Sequence, residues 1–242
     1  MNVRPIVAAA SAAGIAVAAL SLAPAAQAYD KDGYSYAAGH MIERSDIPKA
    51  LGSFKSGLQF GASKGDRTLF ICNQPQKDAN APEVEVKVPG PVYTYNANYL
   101  GRGSDADAPF ITVDVNQYAN ASRAIGAFDQ IRSRIKLCDG TSSNSWSNDD
   151  GTTTAYSTEV THGAVPSVTT AGVESLFLSN NNLSETLPKG AVYISDSYTV
   201  YSLFGDTIIA TAYYSNSTKN LTTAQRRAVN KVAFNAETRW AV

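Results

Sequence analysis

The chain has 242 residues, with 20 lysine and arginine residues against 21 aspartate and glutamate residues. A formal net charge of −1 at pH 7, without any block of basic residues, argues against nucleic acid as a partner. Hydrophobic residues make up 44% of the chain, which is an ordinary share for a globular domain.

The N-terminus has the features of a secretory signal peptide. Arg4 precedes an apolar run over residues 5–22, and the small residues Ala26 and Ala28 follow it. Signal peptidase requires small side chains at these two positions, so we expect cleavage after Ala28 and a leader of residues 1–28. A membrane anchor is the alternative, but the run is near the lower limit for spanning, about 17 residues, and is rich in alanine. No membrane span is expected in the mature chain.

Cys72 and Cys138 are the two cysteines of the chain. In an oxidising compartment outside the cytosol, such a pair is expected to form a disulfide. Two free thiols or a metal pair are the alternatives, and zinc would need further cysteine or histidine ligands. The only histidines are His40 and His162, so no metal site is expected.

The first part of the mature chain, residues 29–44, is rich in tyrosine and glycine and has no clear periodicity. We expect it to form an N-terminal arm packed on the surface of a single domain over residues 45–242. Ser45 or Asp46 predicts the cap of a short helix at the start of this domain.

Two strands are predicted at residues 59–62 and 67–72, on either side of a segment with hairpin-turn chemistry. Residues 73–91 contain four prolines and predict a loop, with an extended stretch at residues 84–88. Further strands are predicted at residues 92–95 and 110–115.

The apolar spacing over residues 120–137 predicts an amphipathic helix that ends at Cys138. Residues 139–151, which include Trp146, are polar and predict a loop. Strands are then predicted at residues 152–160 and 173–178.

A serine and asparagine stretch at residues 179–184 predicts another loop. Residues 191–203 and 207–214 predict a long hairpin, and Thr222 or Thr223 predicts the cap of a helix that ends near Trp240. This order of elements predicts the α+β class: an antiparallel sheet of about five to seven strands, with two main helices on one face and one disulfide.

A resemblance to a known family follows from these elements. The segment over residues 110–138, in which a strand leads into an amphipathic helix that ends at a cysteine, resembles part of the PknH-like extracellular sensor domain family. The strand pair carrying residues 191–194 and 207–210, followed by a closing helix through residues 227–229, is also similar. The resemblance covers most of residues 45–240.

The resemblance implies an actinobacterial protein outside the cytoplasmic membrane, secreted or associated with the cell envelope, whose fold has a cleft for a small ligand. The chain departs from the kinase-attached members of that family, because it lacks a second cysteine pair, a kinase and a lipid-attachment cysteine. We therefore expect no signalling across a membrane by this polypeptide itself.

Catalytic motifs are absent from the sequence. No Gly-x-Ser-x-Gly elbow is present, and a hydrolase would need His40 or His162 beside a serine or aspartate in a cleft. Residues 148–151 resemble a calcium loop only superficially, since Trp146 and Ser157 would occupy positions that require carboxylates. No enzyme activity and no cofactor are therefore expected.

Three carboxylates in or beside strands could in principle form a catalytic pair, and they are Glu159, Glu174 and Asp196. Strand alternation predicts that they lie on the solvent face instead. No glycine-rich phosphate loop is present, so nucleotide binding has no support.

Aromatic residues are the best candidates for ligand contacts, because tyrosine combines a flat apolar face with a polar tip. The alternative is ordinary packing within strands. The predicted ligand-binding residues are Trp146, Tyr193, Tyr198, Tyr201 and Tyr213.

The sequence thus predicts a secreted, non-enzymatic sensor-like domain that binds a small molecule, a cell-envelope component or a protein partner. A structural cell-envelope protein without a soluble ligand is one alternative. A secreted hydrolase with a non-standard site is the other.

Overall fold

The computed structural model describes residues 32–54, 59–63, 67–73, 83–88, 91–102, 108–165, 173–188, 191–217 and 220–241. The expected signal peptide and its cleavage position lie outside these described residues.

Ten strands in the described part of the chain form two antiparallel sheets. In chain order they are β1 (Gln59–Ser63), β2 (Arg67–Asn73), β3 (Glu83–Val88), β4 (Tyr93–Leu100), β5 (Phe110–Gln117), β6 (Gly140–Ser147), β7 (Thr153–Ala164), β8 (Glu174–Leu187), β9 (Ala191–Phe204) and β10 (Thr207–Ser217). Eight of these described strands form the main sheet in the order β1-β4-β5-β10-β9-β8-β7-β6. The other two form a separate pair, the β2–β3 ribbon.

Three α-helices occur in the described residues: α1 (Asp32–His40), α2 (Ala121–Ile135) and α3 (Thr223–Trp240). The two long predicted helices, α2 and α3, are confirmed, together with the α+β class. Each begins at a side-chain cap: Asn120 accepts a hydrogen bond from the backbone N–H of Arg123, and Thr222, one of the two caps predicted for α3, forms a capping box with Gln225.

The long predicted hairpin is also confirmed. Strands β9 and β10 pair over their full lengths, beginning with Phe204 opposite Thr207. Gly205 lies in the turn with a φ of 58°, a left-handed conformation that glycine adopts at little cost.

The two main helices lie on opposite faces of the main sheet, whereas the order of elements predicted one face. Residues that pair across an antiparallel sheet share a face, and successive residues of one strand alternate between faces. Ile209 and Tyr213 of β10 pack in one buried cluster with α3, while Ile208 packs in a second cluster with α2. We name these two sides of the sheet the α3 face and the α2 face.

The reason is that the central strands are apolar on both sides. Ile208 and Ile209 are adjacent in β10 and are respectively 0% and 1% exposed, so both faces of this strand need a covering layer. The α2 face is covered by α2 and the β2–β3 ribbon, and the α3 face by α3 with α1.

The hairpin predicted from residues 59–72 is wrong, although both of its strands exist. Strand β1 pairs with β4 at the edge of the main sheet, and β2 pairs with β3. The predicted disulfide is confirmed: Cys72 of β2 is bonded to Cys138, in the short 3₁₀ turn that follows α2. It therefore fastens the β2–β3 ribbon to the C-terminal end of α2.

Two predicted loops are strands in the structure. The polar segment at residues 139–151 contains β6, and the serine and asparagine stretch at residues 179–184 lies within β8. Serine and asparagine favour turns when considered locally, but here pairing with β7 and β9 supplies their backbone hydrogen bonds. These additional strands bring the main sheet to eight within the described residues.

The expected N-terminal arm contains helix α1 and contributes to the core. Ala37, Met41 and Ile42 are buried in the cluster on the α3 face, together with Trp240 of α3. The short helix expected after it is two 3₁₀ turns, Arg44–Asp46 and Lys49–Leu51. Among the described residues, no helix is long and apolar enough to cross a membrane.

Candidate ligand-binding site

A cavity of about 280 Å³ lies on the α2 face, between the β2–β3 ribbon and the main sheet. Ile71 and Cys72 of β2 line one side of it. Residues of four neighbouring strands, β5, β10, β9 and β8, line the other side and form its floor. The cavity therefore depends on the ribbon being held over the sheet.

Neutral polar side chains from β8 and β9 form much of the floor. Asn180 and Asn182 of β8 lie beside Ser197 and Ser195 of β9, their partners in the strand register, and Thr199 follows on β9. All five occupy alternate positions and therefore share the α2 face. The segment that local propensity assigns to a loop thus supplies part of the polar floor of the cavity.

Asn182 is fixed by three hydrogen bonds. Its Oδ1 atom accepts from the hydroxyl groups of Tyr156 at 2.8 Å and Thr158 at 2.9 Å, and its Nδ2 atom donates to the carbonyl oxygen of Ser195 at 2.9 Å. A side chain held at both ends of its amide cannot rotate freely. This part of the floor is therefore preorganised before any ligand binds.

Asn180 differs from Asn182 because its amide oxygen has no hydrogen-bond partner among the described residues. Its Oδ1 atom is buried and accepts no hydrogen bond from the described part of the chain. A buried acceptor without a donor costs free energy, about 1–3 kcal/mol. A ligand that donates a hydrogen bond to this oxygen would remove that cost.

Asp114 of β5 brings a carboxylate to the floor. Its Oδ1 atom accepts a hydrogen bond of 2.5 Å from the amide of Asn96, which in turn accepts one of 2.9 Å from Asn98. Burial raises the pKa of Tyr201, with further contributions from Tyr214 and Asp114. Burial also raises the pKa of Tyr214, again with a contribution from Asp114. Both tyrosines therefore remain protonated at neutral pH, and both line the cavity.

Apolar surface completes the cavity. Leu178, Ala210 and Ala212 line it beside the polar rows. The ring of Tyr214 stacks on that of Phe110, with centroids 4.3 Å apart and planes 12° apart. This stack fixes the orientation of the Tyr214 ring, so the cavity combines hydrogen-bonding groups with a rigid aromatic wall.

The structure places the predicted ligand-binding residues in different surroundings. Tyr201 lines the cavity, as described above. Tyr198 and Tyr213 lie on the α3 face, where Tyr198 stacks on Phe177 and the Tyr213 hydroxyl donates to the carbonyl oxygen of Leu51. The side chains of Trp146 and Tyr193 lie outside the described residues.

The two histidines do not line the cavity among the described residues. His162 Nδ1 lies 2.6 Å from Asp139 Oδ1, next to the disulfide. His40 Nδ1 donates to the carbonyl oxygen of Tyr36 at 2.7 Å, and the two rings are stacked. His40 is thus hydrogen-bonded within α1, and His162 lies beside the Asp139 carboxylate.

The three candidate carboxylates have different surroundings, although Glu159 and Asp196 both lie opposite Asn181 in the strand register. Glu174 forms an ion pair with Arg132 of α2, and Glu159 is exposed on β7. Asp196, which alternation assigned to the solvent face, is 2% exposed and accepts a hydrogen bond from the backbone N–H of Leu221 at 2.7 Å. The solvent-face prediction is wrong for Asp196 because the start of α3 covers β9 there.

The described residues contain no group of three or more histidine, cysteine, aspartate or glutamate side chains that could hold a metal ion. The superficial calcium loop at residues 148–151 is a turn, in which Thr152 donates through its backbone N–H to Asp150. Asn148 donates to the hydroxyl of Thr152 at 2.8 Å, which closes the same turn.

Sequence reasoning missed most of the floor. Asn180, Asn182 and Ser197 lie in segments that local propensity assigns to loops or that carry no motif, and Asp114 lies in a predicted strand without a recognisable pattern. One signal was present in the sequence: small hydroxyl residues occupy alternate positions from Ser195 to Thr199. In the structure, the two residues between them are buried on the other face of the sheet.

Comparison with known proteins adds a weak similarity of fold. No family model matches the chain, and no curated protein matches it. Among solved structures, the chain is similar to the extracellular domain of PknH from Mycobacterium tuberculosis, with a TM-score of 0.45 and 10% sequence identity. The match covers 83% of this chain and 94% of that chain.

Proposed function

We propose that this protein is an exported binding protein, without catalytic activity of its own, that holds a small molecule in the cavity on the α2 face. The observation that carries the proposal is the cavity itself. It is lined by residues from five strands, and its floor contains a buried acceptor, Asn180 Oδ1, without a donor in the described part of the chain. Concave sites with a few convergent polar groups are typical of small-molecule binding.

The sequence and the disulfide support an extracellular location for this activity. The N-terminus carries the pattern of a signal peptide, and a disulfide such as Cys72–Cys138 persists in oxidising compartments. A soluble metabolite or a small fragment of the cell envelope would reach the cavity there. Reporting the bound state to a protein partner is the sensor-like role that we assign to the domain.

Thermal melting of the purified protein with a library of metabolites and envelope fragments tests the proposal. A ligand that binds the folded protein raises the melting temperature in a saturable way. Replacing Ser197 with phenylalanine fills the floor of the cavity and should abolish that rise. Ser147→Phe adds the same ring at an exposed position of β6 and should preserve it.

A rise that persists in the Ser197→Phe variant would place the ligand elsewhere and contradict the proposal. The same conclusion would follow if no compound of the library raised the melting temperature. Circular dichroism of both variants shows whether each retains the fold.

A further inference from the structure

The charge of the cavity restricts the class of ligand. None of the described lining residues is lysine, arginine or histidine, and the ionised side chain among them is Asp114. A phosphate or carboxylate group would lose its hydration without gaining a positive partner, and it would be repelled by Asp114. The lining therefore disfavours anions.

The hydrogen-bonding groups of the lining favour a ligand that donates. Asp114 is a carboxylate, which only accepts, and Asn180 Oδ1 is a buried acceptor with no donor in the described part of the chain. Asn182 Oδ1 already accepts two hydrogen bonds, from Tyr156 and Thr158, and its Nδ2 group donates one to Ser195. Among the described lining residues, the polar side-chain atom that is buried without a partner is thus an acceptor, Asn180 Oδ1 on β8.

The polar groups are also spread over the floor instead of being focused on one charge. Ser195, Ser197 and Thr199 place hydroxyl groups at every second residue of β9, a spacing of about 6.8 Å, and hydroxyls both donate and accept. A primary amine would concentrate its interaction at Asp114, whose charge already receives a hydrogen bond from Asn96. A ring that carries several hydroxyl groups matches the distributed pattern better.

Apolar surface faces the same space. The side chains of Ala210 and Ala212 and the fixed ring of Tyr214 line the cavity next to the polar rows. A sugar ring has this dual character, because its hydroxyl groups lie around the edge and its C–H groups form an apolar face that packs on aromatic rings. The volume of about 280 Å³ lies just below the range for small-molecule sites, about 300–1,000 Å³, which points to a small ligand.

We propose that the ligand of this cavity is an uncharged polyhydroxylated molecule of about monosaccharide size; this inference rests on the proposed function. Asn180 Oδ1 and the Asp114 carboxylate accept hydrogen bonds from its hydroxyl groups, the hydroxyl row of β9 provides further bonds, and Tyr214 packs against its C–H face.

Isothermal titration of the purified protein with glucose, galactose, mannose, arabinose and myo-inositol tests this ligand class. Glucose 6-phosphate and glucosamine are the charged comparators. We expect at least one neutral compound to bind, and glucose 6-phosphate to bind at least tenfold more weakly than glucose. Replacing Asn180 with leucine should weaken binding of the best neutral ligand about tenfold, because one buried hydrogen bond is lost.

The neighbouring residue provides a matched control. Asn181 lies one position along β8, so its side chain is on the α3 face, and its Oδ1 atom is also buried without a partner in the described residues. Asn181→Leu should leave the affinity within twofold. If Asn180→Leu does not fold, Thr199→Val removes a hydroxyl from the same floor with little change of shape and should also weaken binding.

The outcomes separate this inference from the function on which it rests. If glucosamine binds more tightly than every neutral compound, the sugar-like ligand is wrong and the binding function stands. The same holds if a compound of another chemical class binds and Ser197→Phe abolishes its binding. Neutral sugars that bind equally well to wild type, Asn180→Leu and Thr199→Val would also overturn the sugar-like ligand. If neither these compounds nor the wider library bind, both the ligand class and the proposed function are wrong.

Discussion

Two carboxylic acids are buried between α3 and the sheet, on the face of the sheet opposite the cavity. Glu237 is 5% exposed and Asp196 is 2% exposed. Burial raises the pKa of Glu237, opposed by a hydrogen bond with Ser202, and burial likewise raises the pKa of Asp196, opposed chiefly by its hydrogen bond from the backbone of Leu221. These groups belong to the packing of α3 on the sheet, and their protonation should therefore affect stability.

The free energy of unfolding of the Glu237→Gln variant, relative to that of wild type, should increase as the pH rises. A raised pKa means that the folded protein binds the proton more tightly than the unfolded chain, whose glutamate titrates near pH 4.3. The resulting stabilisation is fully present below that pH and is lost as the pH rises through the higher folded value. Glutamine has no such loss, so the stability of the variant relative to wild type should increase from about pH 4 to pH 7.

Urea unfolding of both proteins across this pH range measures the difference. Parallel curves of unfolding free energy against pH would show that Glu237 does not titrate differently in the folded state. The absolute offset between the curves does not matter, because only their divergence reports the shifted pKa.

Helix α2 shows how the elements of the fold are specified locally. Its start is set by Asn120, whose side chain accepts a hydrogen bond of 3.0 Å from the backbone N–H of Arg123. Its buried side, which includes Phe128, Ile131 and Ile135, follows helical spacing and packs over the sheet. Cap and periodicity are both contained in a short stretch of sequence, and this is why the helix is predictable.

Asn120→Ala should lower the free energy of unfolding by about 1 kcal/mol, because alanine cannot satisfy the first-turn N–H groups of α2. Denaturant unfolding measures this as a lower midpoint with an unchanged slope. Asn120→Ser retains a capping oxygen and is the control. Equal midpoints for the serine and alanine variants would show that the cap does not contribute.

The strands behave differently from the helices, as β8 illustrates. The residues Asn180, Asn181 and Asn182 lie in the middle of a long strand, although asparagine is a poor strand former. Pairing with β7 and β9 on both sides, together with the bonds of Asn182 to Tyr156 and Thr158, outweighs that local preference. Such a strand is stabilised by partners distant in sequence.

At the scale of the whole molecule, the disulfide joins two layers of the fold. Cys72 and Cys138 are 66 positions apart in sequence and are 3% and 0% exposed. The bond holds the β2–β3 ribbon to the end of α2, and Cys72 also lines the cavity. Stability and the shape of the cavity are therefore linked through the same residue.

Replacing both cysteines with serine should lower the free energy of unfolding by about 4 kcal/mol, because the unfolded chain is released from a long closed loop. Denaturant unfolding measures the loss, and affinity for any cavity ligand should fall with it. Wild type treated with dithiothreitol should behave like the double variant, while the variant should not respond to the reductant. A loss below about 1 kcal/mol would contradict a major role for the disulfide.

The sequence alone determined the features that depend on neighbouring residues or on one simple pairing. Helices α2 and α3 follow from their caps and periodicity, the β9–β10 hairpin from two strand-forming runs around Gly205, and the disulfide from the presence of only Cys72 and Cys138. The general class of fold follows from the order of these elements.

The tertiary structure decided which strands pair, which face each helix covers and which side chains meet at the cavity. Strand β1 pairs with β4 and not with β2, and α2 and α3 cover opposite faces. The cavity joins residues from β2, β5, β8, β9 and β10, of which Tyr201 alone among the described lining residues was a predicted ligand contact. Pairings and surfaces of this kind depend on the competition between distant segments for burial and hydrogen bonds, which local sequence patterns do not encode.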